Sequence, residues 1–444
     1  MQEYRIVMQY KNQHGIFANG EIIDSGIIKN PQTILELGLR HIEQIEILKK
    51  IQDAILNKQS IFLKEDIDYC PKCSNKLSKN GVNKCSFNAV FTDHKIAVQR
   101  QLCNHCKWSS VPSVNSLLGA HMHPDLVKMH CEEASKGSYN KARENLNKIA
   151  QKKRPVNSTM TIHGVIEKVG NYISNHPNND IVNTKAAEEL IIQSDGGHIK
   201  TKDPENRSFE ALTSVVYNPK NIIKHGDIER GEIIKKHCAA SALDDGQQHI
   251  KIQTLIAAKK EGMTKETKLT AICDGASNCW SIIDHLKGHC KSITYILDWF
   301  HIGKKFKNTG DLGTLELNKL LDKAKWHLWH GNVDGFYKKI EKINLEINDA
   351  EVRKKLKNLR GYIENNEDKI GEYSFRKKYG LVFSSNIAES NVESLINQRC
   401  KGKQHMQWSR EGAHPILQIR AASNSKDWEE NWEQYVLGAY KKAA

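Results

Sequence analysis

The chain has 444 residues, of which 39% are hydrophobic and 27% are charged, a composition typical of a folded protein with a sizeable core. Lys and Arg outnumber Asp and Glu by 66 to 52, a formal net charge of +14. This excess favours a polyanionic partner, although basic proteins without one are common. No apolar run reaches the ~18–20 residues of a membrane helix, and the amino terminus lacks the apolar core of a signal peptide. We therefore expect a cytoplasmic protein that does not bind a membrane.

Residues 1–65 and 66–112 are predicted to be two separate regions. The first contains a strand region followed by a helix, because Leu35, Leu39, Ile42, Ile45 and Leu48 recur at helical spacing. The second contains two Cys-x-x-Cys pairs with 29 residues between them, namely Cys70 and Cys73, then Cys103 and Cys106. Alternating segments at 89–91 and 95–98 predict a β-hairpin between the pairs.

Paired cysteine turns at the end of a small sheet present four thiolates to one tetrahedral Zn²⁺ ion. We therefore predict a zinc ribbon with a structural zinc ion in residues 66–112. The total of eleven cysteines is odd, which argues against a secreted disulfide framework. A redox function would need a thioredoxin-like βαβ context, which is missing. Cys85 and His105 are further possible ligands, but they fit a four-ligand site less simply.

Residues 113–182 are predicted to be helical and basic. Helices begin near Asp125 and after Ser138, and a third runs from Met160 to Tyr172. A basic turn joins the second and third helices, with Lys152, Lys153 and Arg154 as candidate DNA contacts. This arrangement suits a helix-turn-helix-like region that binds DNA. A pair of solvated, charged helices is the alternative.

Residues 183–301 have a different pattern, in which strands dominate. Strands are predicted at 189–194, 209–217, 236–243, 268–273 and 292–297, with a helix from Ile250 to Lys260. Three successive strands followed by alternating helix and strand are the order of an RNase H-like sheet, in the mixed α/β class. Sites in such sheets lie at the carboxyl ends of strands.

Residues 302–385 contain no strand pattern and are predicted to be a helical insertion. Its basic residues, including Lys304 and Lys305, are candidates for lining a DNA channel, whereas a charged solvent-exposed surface is the alternative. Residues 386–444 are predicted to return to the catalytic core as helices.

Three carboxylates are the candidate catalytic residues. Asp195 and Asp274 each follow a short apolar run and precede a glycine, a pattern that predicts an acid at the tip of a buried strand. Glu389 begins a helical pattern, and Glu393, one turn further on, is a weaker alternative. Two strand-end aspartates and a helix glutamate can bind two Mg²⁺ (or Mn²⁺) ions for phosphoryl transfer on nucleic acid.

Four short motifs resemble those of a known family: Ser194–Gly197, Cys273–Ala276, Tyr295–Ile302 and Ala388–Val392. Together they are similar to DDE transposases of bacterial insertion sequences, most of all the ISKra-type family in the Mutator-like group. The resemblance covers residues 66–425. It implies that Asp195, Asp274 and Glu389 form the catalytic triad, and that Asp298 and His301 are the supporting Asp-x-x-His motif. The family often has Gly-Ser-Gly before the glutamate, where this chain has Ser384–Ala388.

The resemblance implies an enzyme that cleaves and joins double-stranded DNA, at element ends and at a target. It also implies a homodimer or higher oligomer on paired ends, associated with the nucleoid when bound to DNA. Two alternatives remain open. One is a catalytically inactive, transposase-derived DNA-binding regulator, and the other is an RNase H-like nuclease without strand transfer.

Overall fold

A computed structural model describes residues 2–11, 14–17, 20–177, 185–224, 231–311, 314–385, 392–401 and 406–440. The chain divides into two compact units. The first comprises Met1–Ile166 and Trp432–Ala444, and the second comprises Glu167–Asn431. The six segments expected from the sequence do not coincide with this division, and they stay a prediction.

The first unit begins with the predicted strand region and helix. The elements are β1 (Gln2–Met8), β2 (Glu21–Ile28) and α1 (His41–Gln59), with β1 and β2 antiparallel. The helix begins later than predicted, so Leu35 and Leu39 precede it. Its start is fixed by Glu43, whose carboxylate accepts a hydrogen bond of 2.7 Å from the backbone N–H of Arg40.

The predicted β-hairpin is present, but its strands have different bounds. Strands β3 (Ser78–Asn88) and β4 (Asp93–Leu102) pair antiparallel. The prediction of a strand at 89–91 was wrong, because these residues form the connection, closed by a hydrogen bond of 2.9 Å from Ala89 N–H to Thr92 O. Apolar residues here pack inward from a turn, which alternation alone does not distinguish from a strand.

Four helices follow the hairpin: α2 (Val114–Leu118), α3 (Pro124–Lys136), α4 (Tyr139–Ile149) and α5 (Thr159–Asn175). The last three confirm the predicted helices, whereas α2 was not predicted. Hydroxyl caps define two of the starts. Ser138 Oγ accepts from Lys141 N–H at 3.2 Å, and Ser158 Oγ accepts from Thr161 N–H at 3.1 Å. Whether these helices read DNA stays a prediction.

Arg154, a predicted DNA contact, lies inside the first unit and is only 4% exposed. Its guanidinium donates to the backbone carbonyls of Ala89, Val90 and Thr92 at 2.5–2.9 Å, and to the Asp93 carboxylate at 2.6 Å. A guanidinium has five N–H donors, and these contacts occupy most of them. Arg154 therefore stabilises the hairpin connection and is not placed to contact a DNA phosphate.

The second unit is a mixed α/β structure, which confirms the predicted class. Among the residues that the structure describes, five strands form one sheet in the order β11-β10-β5-β6-β9. Their bounds are β5 (Glu189–Lys200), β6 (Ser208–Tyr217), β9 (His237–Ser241), β10 (Lys268–Cys273) and β11 (Ser292–Leu297). Strand β10 runs parallel to β5 and β11, whereas β6 runs antiparallel to β5 and β9.

Shorter elements complete the sheet region. Helices α6 (Gln248–Lys260) and α7 (Ser277–Asp284) follow β9 and β10, and a small hairpin is formed by β7 (Ile222–Lys224) and β8 (Gly231–Ile233). Neither this hairpin nor α7 was predicted from the sequence. Three-residue strands and an eight-residue helix are too short to produce a clear period.

The residues after β11 are helical, as predicted, and no strand occurs among the described residues of 302–385. The helices are α8 (Trp299–Gly310), α9 (Leu315–Trp329), α10 (Val333–Glu346), α11 (Ala350–Glu364) and α12 (Tyr373–Lys378). Their buried apolar faces join the core of the sheet through residues such as Ile302, Phe306, Leu321, Phe336 and Leu356. The helices therefore pack on the core as part of the same unit.

The carboxyl-terminal part of the chain is also helical. It contains a π-helix (Glu393–Asn397), α13 (Gln398–Cys400), α14 (Arg410–Asn424) and α15 (Trp428–Ala439). Helix α14 packs closely on α5, because a Cβ atom on Gly170 would lie 2.3 Å from the Pro415 carbonyl oxygen. In the part of the chain that the structure describes, no helix is long and apolar enough to span a membrane.

The burial of Arg154 gives a test of its role. We expect Arg154→Ala to lower the local opening free energy of β3 and β4 by about 3 kcal/mol, because several buried carbonyls lose their donor. Amide hydrogen exchange of the hairpin measures this quantity in the full chain. Lys153→Ala, an exposed neighbour, is the matched control and should change it by less than about 0.5 kcal/mol. Unchanged exchange in Arg154→Ala would contradict the structural role.

Candidate catalytic and metal sites

The four predicted zinc ligands lie together in the first unit. The sulfurs of Cys70 and Cys106 are 3.5 Å apart, and those of Cys73 and Cys103 are 3.4 Å apart. All four sulfurs lie within 4.8 Å of one another. Sulfurs bound at about 2.3 Å to one tetrahedral ion are about 3.8 Å apart. The cluster therefore has the size that a single Zn²⁺ ion requires.

Each Cys-x-x-Cys pair sits in the same kind of turn. Cys70 N–H donates to Asn75 O and Ser74 N–H donates to Cys70 O, both at 2.8 Å. The turn that begins at Cys103 repeats both hydrogen bonds, with Lys107 at the position of Ser74. The φ angles of Ser74 and Lys107 are 56° and 61°, in the left-handed region. This paired, repeated geometry directs all four sulfurs to one point.

The contacts of Cys73 favour a thiolate ligand. Hydrogen bonds from the Asn75 side chain and backbone lower the pKa of Cys73 to about 5, and the thiolate is the form that binds metals. A backbone hydrogen bond at Trp108 lowers the pKa of Cys106, but burial and hydrogen bonds with the other three cysteines outweigh it and raise the pKa to about 12. The two spare candidates lie outside the cluster. Cys85 is buried and donates to Pro112 O at 3.5 Å, and His105 is exposed. Four cysteines are therefore the residues that could hold a zinc ion.

The acids of the second unit form a row across three parallel strands. Ser194, Cys273 and Leu297 are aligned in register on β5, β10 and β11. The next residue on each strand is an aspartate, namely Asp195, Asp274 and Asp298. Adjacent strands are about 4.8 Å apart. The sheet register alone therefore brings three carboxylates to one edge.

Asp195 does not end its strand, contrary to the sequence prediction. Strand β5 continues to Lys200 and pairs with β6 along this extension, although its pairing with β10 stops at Ser194. Gly196 and Gly197, which follow Asp195, lie within the strand and do not form a turn. Their lack of a side chain lets neighbouring groups pack closely against the backbone. A Cβ atom on Gly196 would lie 2.3 Å from Glu210 Oε1, and one on Gly197 would lie 2.9 Å from Ile396 Cδ1.

Asp274 follows the last residue of β10, as predicted. Its Oδ1 accepts a hydrogen bond from Ala276 N–H at 2.9 Å, and its backbone carbonyl accepts one from Tyr362 Oη at 2.8 Å. Gly275 has a φ of +96°, in the left-handed region that glycine adopts readily. Helix α11, which carries Tyr362, thus fixes the turn that presents Asp274.

Asp298 is a buried carboxylate that positions its neighbours. It is 1% exposed. Its Oδ1 accepts from the N–H groups of Phe300 (3.0 Å) and Ser385 (3.1 Å). Its Oδ2 accepts from His301 Nδ1 (2.8 Å) and Ser385 Oγ (2.5 Å). Each oxygen thus has two donors, which leaves little capacity for a metal ion, so Asp298 acts by orienting His301 and Ser385.

One ligand atom from each of Asp195, Asp274 and His301 lies within 4.8 Å of the other two. These side chains line a cavity of about 20 Å³, together with Asp298 and Ser385. A cavity of this volume holds one water-sized species. Ligands of an octahedral Mg²⁺ ion are about 3.0 Å apart when adjacent and about 4.2 Å apart when opposite, so three atoms within 4.8 Å of one another are compatible with one divalent cation.

The pKa values indicate that this cluster lacks positive charge. Burial raises the pKa of Asp195, and the nearby Asp274 raises it further, against the effect of His301. Burial lowers the pKa of His301, but hydrogen bonding to Asp298 and the surrounding carboxylates outweigh it and leave the pKa raised. Burial alone would raise the pKa of Asp298, yet its donors His301 and Ser385 lower it. A bound cation would relieve the repulsion between these acids.

The acids and His301 lie in a region of the chain that matches a protein-family model. The model of the uncharacterised protein family UPF0236 matches residues 122–434. The chain belongs to this family. The matched region contains Asp195, Asp274, Asp298, His301 and Glu389, and it begins after the four cysteines.

The similarity of this UPF0236 member to solved structures is low. One similar solved structure is the Drosophila P element transposase strand transfer complex. It has 10% sequence identity and a TM-score of 0.32, over 70% of this chain and 94% of that chain. No curated protein matches the sequence.

Glu389 lies outside the described residues, so its predicted place in the triad is untested. The described residues on either side of it are near the site. Ser385 donates to Asp298, and a Cβ atom on Gly197 would lie 3.0 Å from Val392 Cγ1. The alternative acid, Glu393, is exposed and accepts a hydrogen bond from Asn397 Nδ2 at 2.8 Å.

The predicted basic residues of α8 are exposed on the helix that also carries His301. Lys304 Nζ lies 4.3 Å from the centre of the Phe300 ring, and Lys305 Nζ lies 5.0 Å from that of Tyr362. Lys152 and Lys153 are also exposed, in the first unit. These four lysines remain candidate DNA contacts, and Arg154 does not.

Two functional positions could not be found from the sequence. Ser385 was noted only as part of the segment Ser384–Ala388 that departs from the family motif, and Tyr362 was not singled out. Their partners lie 87 and 88 residues earlier in the chain. No local pattern connects a serine or a tyrosine with an acid at that separation, so the sequence offered no signal for either.

The cysteine cluster gives a test by metal content. We expect the purified UPF0236 chain to contain one zinc ion, and Cys73→Ser or Cys103→Ser to lose it, because three ligands no longer close a structural site. Elemental analysis by mass spectrometry measures the content. Cys85→Ser, a buried thiol outside the cluster, is the control and should keep the zinc. A chain without zinc, or one that keeps it in both cluster variants, would contradict this ligand set.

Proposed function

We propose that this chain is a DDE-type DNA transposase that cleaves and joins DNA at the ends of an insertion sequence. The observation that carries the proposal is the convergence of Asp195 and Asp274 with His301 at the edge of three parallel strands. The order and directions of the five strands support an RNase H-like catalytic core. Assignment to the ISKra-type group rests on the motifs alone and stays part of the proposal.

Asp195 and Asp274 are proposed to hold Mg²⁺ or Mn²⁺ through their carboxylates, since these hard cations prefer oxygen ligands. Two such ions, when bound, activate the attacking oxygen and stabilise the leaving oxygen of an in-line displacement at phosphorus. The side chains themselves contribute a fixed, preorganised set of ligands. The Asp274 turn is fixed by Tyr362, and Asp195 lies within a paired strand.

Glu389 is proposed as the third acid of the triad. It lies three positions before Val392 in the sequence, so their Cα atoms are at most about 11 Å apart. Val392 lies beside Gly197, two residues after Asp195. Ser385, on the other side, is hydrogen-bonded to Asp298. These neighbours support Glu389 over the exposed Glu393.

DNA is the proposed partner, because it is the substrate of the proposed reaction and because its phosphates would be attracted by the net positive charge of the chain. The net charge of +14 suits a protein that neutralises phosphates. Lys304 and Lys305 lie on α8, within one turn of His301, where a phosphate backbone at the acids would be in reach of their side chains. Lys152 and Lys153 are proposed as separate backbone contacts. Action as a dimer or higher oligomer on paired ends remains a prediction from the resemblance.

Loss of one acid tests the proposal. We expect Asp274→Asn to lower Mg²⁺-dependent strand transfer by at least about 1000-fold, equivalent to roughly 4 kcal/mol of transition-state stabilisation. An assay with end-labelled element DNA and a target duplex separates cleaved from joined products. Asp322→Asn, an exposed acid on α9, is the control and should retain activity.

Each outcome of that assay has a distinct meaning. Full activity in Asp274→Asn would overturn the assignment. Cleavage without joined strands in the unmodified chain would indicate a nuclease. DNA binding with neither product would indicate an inactive, transposase-derived regulator.

The raised pKa of Asp195 predicts a pH dependence. Metal binding needs the ionised carboxylate, so we expect activity to fall on acidification at a pH above that of an ordinary aspartate, about 3.9. Because protons and metal ions compete for the same oxygens, a tenfold higher Mg²⁺ concentration should move this acidic limb to lower pH. A pH profile of cleavage at two Mg²⁺ concentrations measures the shift. An acidic limb that does not respond to Mg²⁺ would contradict the competition.

A further inference from the structure

We infer that His301 is itself a metal ligand, through Nε2, in a site formed with the carboxylates of Asp195 and Asp274. We also infer that this site prefers a first-row divalent ion such as Mn²⁺ to Mg²⁺. The inference rests on the proposed function, because it names a ligand and an ion preference of the same centre. The sequence motif assigned His301 only a supporting role.

Nε2 is the nitrogen of His301 that is available to a metal ion. Nδ1 lies 2.8 Å from Asp298 Oδ2, and an ionised carboxylate only accepts hydrogen bonds, so Nδ1 carries the proton. In the neutral ring, Nε2 then has the lone pair. Among the described residues, no side chain or backbone group forms a hydrogen bond with Nε2. The ring borders the cavity that Asp195 and Asp274 also line.

A buried carboxylate supports the ring from its other side. Histidine ligands of metals commonly donate their other N–H to a carboxylate, which fixes the tautomer and makes the ligand nitrogen more basic. Asp298 occupies this position. It is 1% exposed and is held by two hydrogen bonds from Ser385.

The size and charge of the cavity suit one divalent ion. The volume of about 20 Å³ admits one ion or water, and the three ligand atoms are mutually within 4.8 Å. Two carboxylates and a neutral imidazole give the ligand set a charge of −2, which matches one divalent cation. Mg²⁺ strongly prefers oxygen ligands, whereas transition metals accept imidazole nitrogen readily. One nitrogen among the ligands therefore shifts the preference toward Mn²⁺.

Spectroscopy of bound Mn²⁺ tests the inference without measuring activity. We expect electron spin echo modulation from a directly coordinated nitrogen in the full-length chain loaded with one equivalent of Mn²⁺. Labelling its histidines with ¹⁵N should replace the ¹⁴N modulation pattern, and this result needs no substitution. His301→Gln should abolish the modulation and weaken Mn²⁺ binding by about tenfold or more, with a smaller effect on Mg²⁺.

Two further variants define the outcome. His289→Gln, which removes an exposed histidine, should keep the nitrogen modulation and the Mn²⁺ affinity. Asp298→Asn should weaken Mn²⁺ binding by about 10-fold or more, because the ring loses its orienting acceptor. Mn²⁺ bound in an Asp195-dependent manner without any histidine nitrogen signal would overturn the inference. So would an equal loss of Mg²⁺ and Mn²⁺ affinity in His301→Gln.

The two proposals fail separately. If Mn²⁺ carries the nitrogen signal but no DNA is cleaved or joined, the metal site stands and the transposase proposal fails. If DNA is joined in an Asp274-dependent reaction but the nitrogen signal is absent, the proposed function stands and the role of His301 fails.

Discussion

The hydrogen bonds of the Asp298 carboxylate are the constraint on which the site depends. A buried carboxylate is costly unless its lone pairs are satisfied, and here four donors from Phe300, His301 and Ser385 satisfy them. Satisfying this one group fixes the first turn of α8 and the ring of His301. It also ties Ser385, which is 87 residues away in sequence, to the edge of the sheet. The end of the helical segment is thereby held at the candidate site.

Sheet register provides the second level of organisation. Because Ser194, Cys273 and Leu297 are aligned, three strands place an aspartate at the same level. The backbone on the carboxyl side of each acid is different. Asp195 continues in a strand, Asp274 enters a glycine turn supported by Tyr362, and Asp298 caps a helix. The local backbone thus directs two carboxylates to the cavity and commits the third to hydrogen bonds.

The parts of this arrangement that could be predicted are those with a local cause. Strands β10 and β11 have the predicted bounds, because their apolar runs end at polar residues. Asp274, at the end of β10, was recognised for the same reason, whereas Asp298, at the end of β11, was identified through the resemblance of its Asp-x-x-His motif. The continuation of β5 was missed, because two glycines normally indicate a turn. Here the glycines accommodate Glu210 and Ile396, which are distant in sequence. Arg154 could not be distinguished from Lys152 and Lys153, because its acceptors lie 61–65 residues earlier.

The two candidate metal sites meet different physical requirements. Four cysteines in repeated turns could close around one zinc ion and would leave no open position, which suits a structural role. The acid cluster instead has more negative charge than its own residues neutralise, as the raised pKa values of Asp195 and His301 indicate. A proton on one of these groups supplies compensating charge. A divalent cation supplies that charge without removing the ligands, so proton binding and metal binding at this cluster exclude each other.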